Sequence, residues 1–220
     1  MRTRHQPRPV GASIETNRPA AEKKSLHATE RDTEENQRLE EFVQRLGAIP
    51  PEKLIFLDVS GVTTRMTRLY ARALGGARVQ ESAPEGDWKI LTILSAMSTR
   101  GIIAAMTVEA ATDREIFLIY LDEVLCPQLE SGDVVVMDNL SSHKVDGVRQ
   151  RVEARQAELL YLPPYSPDLN PIKKAWSKIK QRLRQAKART AEALDHAITA
   201  AIPEISPDNA QAWFSWRIAE

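Results

Sequence analysis

Two continuous apolar runs, each closed by an aspartate, stand out along the chain: Leu54-Ile55-Phe56-Leu57-Asp58 and Val134-Val135-Val136-Met137-Asp138. Runs of this length, rich in β-branched residues, suit strands buried on both faces of an α/β sheet. Ligands of such sheets sit beyond the carboxyl ends of the strands, which makes Asp58 and Asp138 candidate site residues. The alternative is that each aspartate merely opens a turn, ahead of Ser60-Gly61 or Asn139.

The rest of the pattern places further elements. Leu39, Phe42, Val43 and Leu46 recur at helical spacing, predicting an amphipathic linker helix within 23–49 that stops at Pro50-Pro51. The first strand is expected to end at Asp58; Gly61, Gly75-Gly76 and Pro84-Glu85-Gly86 then punctuate a stretch with Ile90-Leu91-Thr92-Ile93-Leu94 that reads as antiparallel hairpin strands, and Gly101–Met106 reads as another strand. Thr112 and Glu115 have capping-box spacing before a helix to about Leu125. Val145, Val148 and Val152 mark the next helix, Leu159–Leu162 a last strand stopped by Pro163-Pro164, and helices finish the chain. Hairpin strands, then helix, strand, helix, strand, helix, give an α/β fold with a mixed sheet and flanking helices, the order of a ribonuclease-H-like domain. The expected division is a flexible lead or remnant at 1–22, the linker helix, a catalytic domain at 50–190 and a C-terminal helical segment at 191–220. Trp213 and Trp216 read as a packed or oligomeric terminus.

Length and composition narrow the picture. A chain of 220 residues suits one α/β domain with an appendage. Thirty basic residues balance thirty acidic ones, so any nucleic-acid contact must come from a local patch. One cysteine, Cys126, excludes an internal disulfide or a Cys-based zinc cluster and fits a reducing compartment; it reads as helix-end packing. No apolar stretch has the length of a membrane span, so a cytoplasmic protein without a membrane partner is expected.

Chemistry is concentrated in one stretch, Tyr165-Ser166-Pro167-Asp168-Leu169-Asn170-Pro171-Ile172-Lys173-Lys174-Ala175-Trp176. Asn170 reads as an N-cap and Pro171 as the first helical residue, which makes position 173 the third. An acid there would close a capping box and complement the helix dipole, whereas Lys173 and Lys174 oppose it. From Lys173 to Arg189 the chain carries eight lysines and arginines with no intervening acid, while Ile172, Trp176, Ile179 and Leu183 keep core spacing. Such a helix packs inward and presents phosphate-binding cations outward, with Lys174, Lys178, Lys180, Arg182 and Arg184 as candidate DNA contacts. Arg65, Arg68, Arg72 and Arg78 could extend the patch. An ordinary solvated face is the plainer reading of the same run.

Taken together, Phe56-Leu57-Asp58, Met137-Asp138-Asn139 with His143 after it, and Tyr165 to Ile172 with Trp176 following resemble the catalytic domain of mariner-superfamily transposases, specifically the bacterial insertion-sequence branch. Thirty-four residues separate Asp138 from position 173, the spacing at which this superfamily places its third acid. The resemblance covers roughly residues 50 to 190. It implies three carboxylates holding two divalent cations, Mg²⁺ or Mn²⁺, that support DNA strand cleavage and strand transfer, with Asp58 bridging both ions, Asp138 binding one and position 173 the other. Oxygen-rich ligands suit such ions.

Lys173 breaks this pattern, because an ammonium donates three hydrogen bonds, accepts none and repels a cation. The second metal position is expected to be weakened, and Lys173 to swing toward solvent or a phosphate. Val59 is a second departure, since the family often has glutamate there. Asp168, a turn residue after Pro167, is a poor substitute acid. His143 could orient a water, a phosphate or Asp138, or simply begin a helix beside Ser141 and Ser142.

The resemblance also implies partners: DNA as transposon ends and target, a homodimer, and an upstream helix-turn-helix protein or reading frame, because residues 1 to 46 are too short and polar to supply such modules. The chain is therefore read as a fragment or one of two frames, with cleavage impaired in this copy. Two rivals stand beside that reading: a non-enzymatic DNA-binding remnant, and a metal-dependent phosphatase built on Asp58 and Asp138.

Overall fold

The structure is a computed structural model that describes residues 33–68, 70, 80, 86–109, 111–139, 147–164 and 166–215. Strand β1 (Leu54–Thr63) lies at the centre of a five-stranded sheet with β2 (Ile90–Ser98), β3 (Gly101–Val108), β4 (Val134–Met137) and β5 (Glu158–Tyr161), in the order β3-β2-β1-β4-β5. One half is an antiparallel meander of β1, β2 and β3; the other is parallel, with β4 on β1 and β5 on β4.

β1 does not stop at Asp58. It runs on to Thr63, with Asp58 opposite Ser95 of β2. What stops is the parallel pairing, whose last register pair is Leu57 with Met137. The antiparallel partner satisfies the backbone beyond that point, and Val59, Val62 and Thr63 suit a pleated, half-buried surface.

The continuous apolar runs are explained by two cores. Leu54, Phe56, Val134 and Val136 join the cluster under α1 (Thr33–Ala48), α4 (Ile172–Ala186), α5 (Ala191–Ala201) and α6 (Pro207–Phe214). Ile55, Leu57, Val135 and Met137 face α2 (Arg114–Ile119) and α3 (Val148–Glu153) on the other side. Alternation along each strand therefore feeds both faces, and no position in the run can be polar without a reason. Phe56 is fully buried and meets Phe214 edge to face at 5.3 Å between ring centroids. Between β2 and β3 the chain turns through Gly101 at φ 106°, where an added Cβ would lie 2.6 Å from the Ile205 carbonyl oxygen, so glycine is required for both backbone and space.

Two local expectations need correction. Asp113, not Thr112, caps α2: its Oδ1 accepts from the Ile116 N–H at 2.9 Å, while the Thr112 hydroxyl oxygen is buried without a partner. The extended backbone at Asp113 brings its charged carboxylate over the open amide. The helix reaches Leu125 as expected, but its second half, Tyr120–Leu125, is a π-helical turn. Its wider spacing lets Tyr120, Leu121 and Leu125 all be buried, and burial pushes the Tyr120 phenol far above its ordinary range. The linker helix is present as α1, although its expected first residues lie outside the described region, as do residues 1–22, Val145 and Trp216.

Because Phe56 has no exposed surface and fills the space between the sheet and α6, Phe56→Ala is expected to cost about 3–5 kcal/mol in urea denaturation with little change in m-value.

Candidate functional site

Asp58 and Asp138 each follow the last parallel register pair of their strand, Leu57 with Met137. Leu57 and Met137 point into the α2–α3 core, so the next residues point to the opposite face, under α4. The sheet thus brings the two aspartates side by side without any long-range loop. Asp58 is 1 % exposed. Its Oδ2 accepts from the indole Nε1 of Trp176 at 2.9 Å and lies 2.6 Å from the Lys173 ammonium.

That contact corrects the expectation that Lys173 would turn to solvent or a phosphate. A carboxylate this deeply buried must be compensated, and the nearest cation in reach of its oxygen is the one on the first turn of α4. Trp176 was legible in the sequence as a core residue of α4. Its bond to Asp58 was not, although a buried indole N–H needs an acceptor and Trp176 sits three residues from Lys173, on the same helix face.

The start of α4 also differs from expectation. The helix begins at Ile172 with Pro171 as its cap residue and no side-chain cap hydrogen bond. Asn170 contributes its backbone carbonyl to the Lys173 N–H, but its side chain caps nothing. Lys173 is therefore the second helical residue and the capping-box argument fails, while the opposition to the helix dipole stands. Asn170 is 2 % exposed, and among the described residues neither its Oδ1 nor its Nδ2 has a hydrogen-bond partner. Leaving such groups unpaired costs about 1–3 kcal/mol each. Asn170 lines a cleft of about 440 Å³ together with Asp138, Asn139 and Lys173.

The basic helix splits into two sets. Lys178 donates to the Glu204 carbonyl and to Asn209, Arg182 pairs with the Glu204 carboxylate at 2.6 Å, and Arg189 donates to the carbonyls of Thr64 and Met66. Lys178 and Arg182 fasten α4 to its neighbours, and Arg189 ties the connection after α4 to the end of β1, so Lys178 and Arg182, expected as DNA contacts, are already engaged. Lys174 is exposed, and Lys180 and Arg184 are partly so. Burial lowers the Lys180 pKa, with Arg184 and Lys173 adding to the effect and Asp58 opposing it. Lys173, Lys180 and Arg184 thus form one cationic stripe beside Asp58. Arg65 lies over the Trp88 ring at 5.2 Å, and Arg68 is exposed. Asp168 is exposed in the short 3₁₀ turn Pro167–Leu169. His143, Tyr165, Arg72 and Arg78 lie outside the described residues.

Residues 53–195, well over half of the chain, match the family described as DDE superfamily endonuclease. The chain belongs to this family. Its fold is ribonuclease-H-like and is similar to solved transposase structures. With the Mos1 transposase paired-end complex with left transposon end it shares 16 % identity at a TM-score of 0.69, over 91 % of this chain and 63 % of that one. The catalytic domain of Mos1 mariner transposase gives 14 % identity and a TM-score of 0.64, over 88 % of this chain and 92 % of that one. A pre-cleavage Mos1 transpososome gives 14 % and 0.66, over 93 % and 65 %. The chain spans less than two thirds of the length of the first of these relatives. None of the curated proteins matches it.

For a DDE superfamily endonuclease the centre is unusual in its donor set. Among the described residues no group of three or more His, Cys, Asp or Glu side chains could hold a metal ion. Two aspartates remain, and one oxygen of Asp58 is taken by an ammonium at 2.6 Å. The described residues therefore do not fit a two-cation centre. Among the described residues no helix is long and apolar enough to cross a membrane.

The ion pair has a measurable asymmetry. Lys173→Met leaves a buried carboxylate held by Trp176 alone and is expected to lower stability by roughly 1–3 kcal/mol, less than for a fully buried pair because the lysine side chain is 45 % exposed. Lys173→Met combined with Asp58→Asn removes the uncompensated charge and should recover part of that loss in chemical denaturation.

Proposed function

We propose that this chain is the catalytic domain of an insertion-sequence transposase of the mariner superfamily, that it binds DNA as transposon ends and target, and that strand cleavage and transfer are impaired in this copy. One observation carries the reading: Lys173 stands where the third acid is expected and is held on Asp58, the aspartate that both cations would share. A unit charge pair at about 4 Å is worth roughly 4 kcal/mol at an effective dielectric near 20, so exchanging an acid for an ammonium replaces attraction for a cation by repulsion of similar size. Binding is supported by Lys174, Lys180 and Arg184, which are not fastened to α4's neighbours as Lys178 and Arg182 are. Such cations position a phosphate backbone without reading sequence. A DNA-binding protein that occupies transposon ends without cutting them is the form of this reading that the Lys173–Asp58 pair favours.

Calorimetric titration with Mg²⁺ or Mn²⁺ is expected to show at most one tight ion on the natural protein and a second on Lys173→Glu. Nicking of a transposon-end duplex should rise with the same substitution. Equal cleavage by the two forms would sink the impaired-site claim.

Salt dependence separates the two sets of cations. Lys174→Gln and Arg184→Gln should each reduce the slope of log affinity against log salt by about 1, whereas Arg182→Gln should lower thermal stability and leave the slope nearly unchanged.

A further inference from the structure

The cleft beside Asp138 carries features that neither the acidic pair nor the basic helix explains. Asn170 is 2 % exposed, and both ends of its amide lack partners among the described residues. The Asn139 Oδ1 is likewise buried without a partner, and it lines the same cleft. Leu162, Pro163, Pro164 and Pro167 supply apolar lining, and Lys173 adds an ammonium. With a volume of about 440 Å³ the space is within the range of small-molecule sites.

The geometry points to a site for one unpaired nucleotide of a DNA strand, with its base against Asn170 and its phosphate toward Lys173. This rests on the DNA-binding reading above and adds a base-recognition element to it. An asparagine amide offers a donor and an acceptor side by side, and the complementary planar edge is that of a nucleobase. An inorganic ion would satisfy one end of the amide and leave the other orphaned. An alkyl group would satisfy neither. Apolar proline rings can pack on the faces of a planar ring, and the Lys173 ammonium has three donors, of which Asp58 Oδ2 takes one.

Base recognition follows from the same amide. Unpaired bases expose both their Watson–Crick and Hoogsteen edges. Adenine (N6 with N7 or N1), cytosine (N4 with N3), guanine (N1 with O6) and thymine (N3 with O4 or O2) each present an adjacent donor and acceptor, so each can meet the Asn170 amide and an abasic residue cannot. Asn139 Oδ1 can accept one further N–H from the base.

The test uses the whole chain, metal-free buffer and fluorescence anisotropy. The probes are a set of otherwise identical duplexes ending in one unpaired nucleotide: adenine, cytosine, guanine, thymine or an abasic residue. The four base-bearing duplexes should bind more tightly than the abasic one, by roughly five- to a hundredfold. Asn170→Leu, which keeps side-chain volume and removes both polar atoms, should bring the adenine duplex down to the level of the abasic one, with folding checked by circular dichroism. Equal affinity of the natural protein for all five duplexes would overturn the nucleotide site and leave DNA binding intact. Failure to bind any of them would overturn the DNA-binding reading itself. The natural-protein series decides between these outcomes even where the variant does not fold.

Discussion

The Lys173–Asp58 contact is the constraint around which the rest of the site is arranged. A carboxylate at 1 % exposure has lost nearly all of its hydration and must be compensated by charge or by hydrogen bonds. Both come from α4, as an ammonium from Lys173 and an indole N–H from Trp176 three residues on. The helix therefore docks on β1 by two means at once. Ile172, Ala175, Ile179 and Leu183 bury their side chains against the sheet, while Lys173 and Trp176 converge on one carboxylate oxygen. Apolar burial is non-directional, so the paired donors are what fix the position of α4 along the strand.

The sheet prepares that meeting. Parallel pairing between β1 and β4 ends at Leu57 and Met137, and each strand then presents an aspartate to the α4 face. β1 continues because β2 holds it, and β4 ends there. The result is a gap in the sheet with carboxylates on one side and the positive end of a 15-residue helix on the other. Lysines at the second and third positions of that helix run against its dipole, each by about 0.3–1 kcal/mol. Asp58 offsets part of this for Lys173. Lys174 is exposed and has water to screen it.

How much of this could be read from the chain depends on what each residue answers to. The β1 and β4 runs, the hairpin partners and the core side of α4 respond to burial, which leaves a period in the sequence. They appear close to where the pattern places them. The end of β1 was misplaced because Asp58 is polar within a strand that continues, and only a partner strand reveals that it continues. Thr112 lost its capping role to Asp113 by a backbone angle that spacing does not encode. The π-helical turn at Tyr120–Leu125 left no mark in the pattern. For the site, Asp58, Asp138 and Lys173 were legible as residue types at a spacing. The partner of Lys173 was not, because a long flexible side chain is placed by the nearest uncompensated charge, and that is known only once the sheet is built. The division of the basic helix is of the same kind: Lys178 and Arg182 read as surface cations until the turn Ile202–Glu204 brings Glu204 beside them.

Two local choices in this chain work against stability, and they are neighbours. Asn170 could accept an amide hydrogen bond at the start of α4, a cap worth about 1 kcal/mol, yet its side chain caps nothing and both its polar atoms are buried unpaired. Lys173 places a positive charge on the positive end of the same helix. Elsewhere on α4 the polar groups find partners: Trp176 on Asp58, Lys178 on Glu204 and Asn209, Arg182 on Glu204. The helix is thus well satisfied along its body and poorly satisfied at its first turn, where it borders the cleft. Two local rules broken together at the first turn of a helix that is otherwise satisfied along its body mark that place as one shaped for contact with something outside the chain. On the proposed reading, a lysine at position 173 argues against cutting DNA at this gap, and the unsatisfied amide beside it argues that the gap holds a strand.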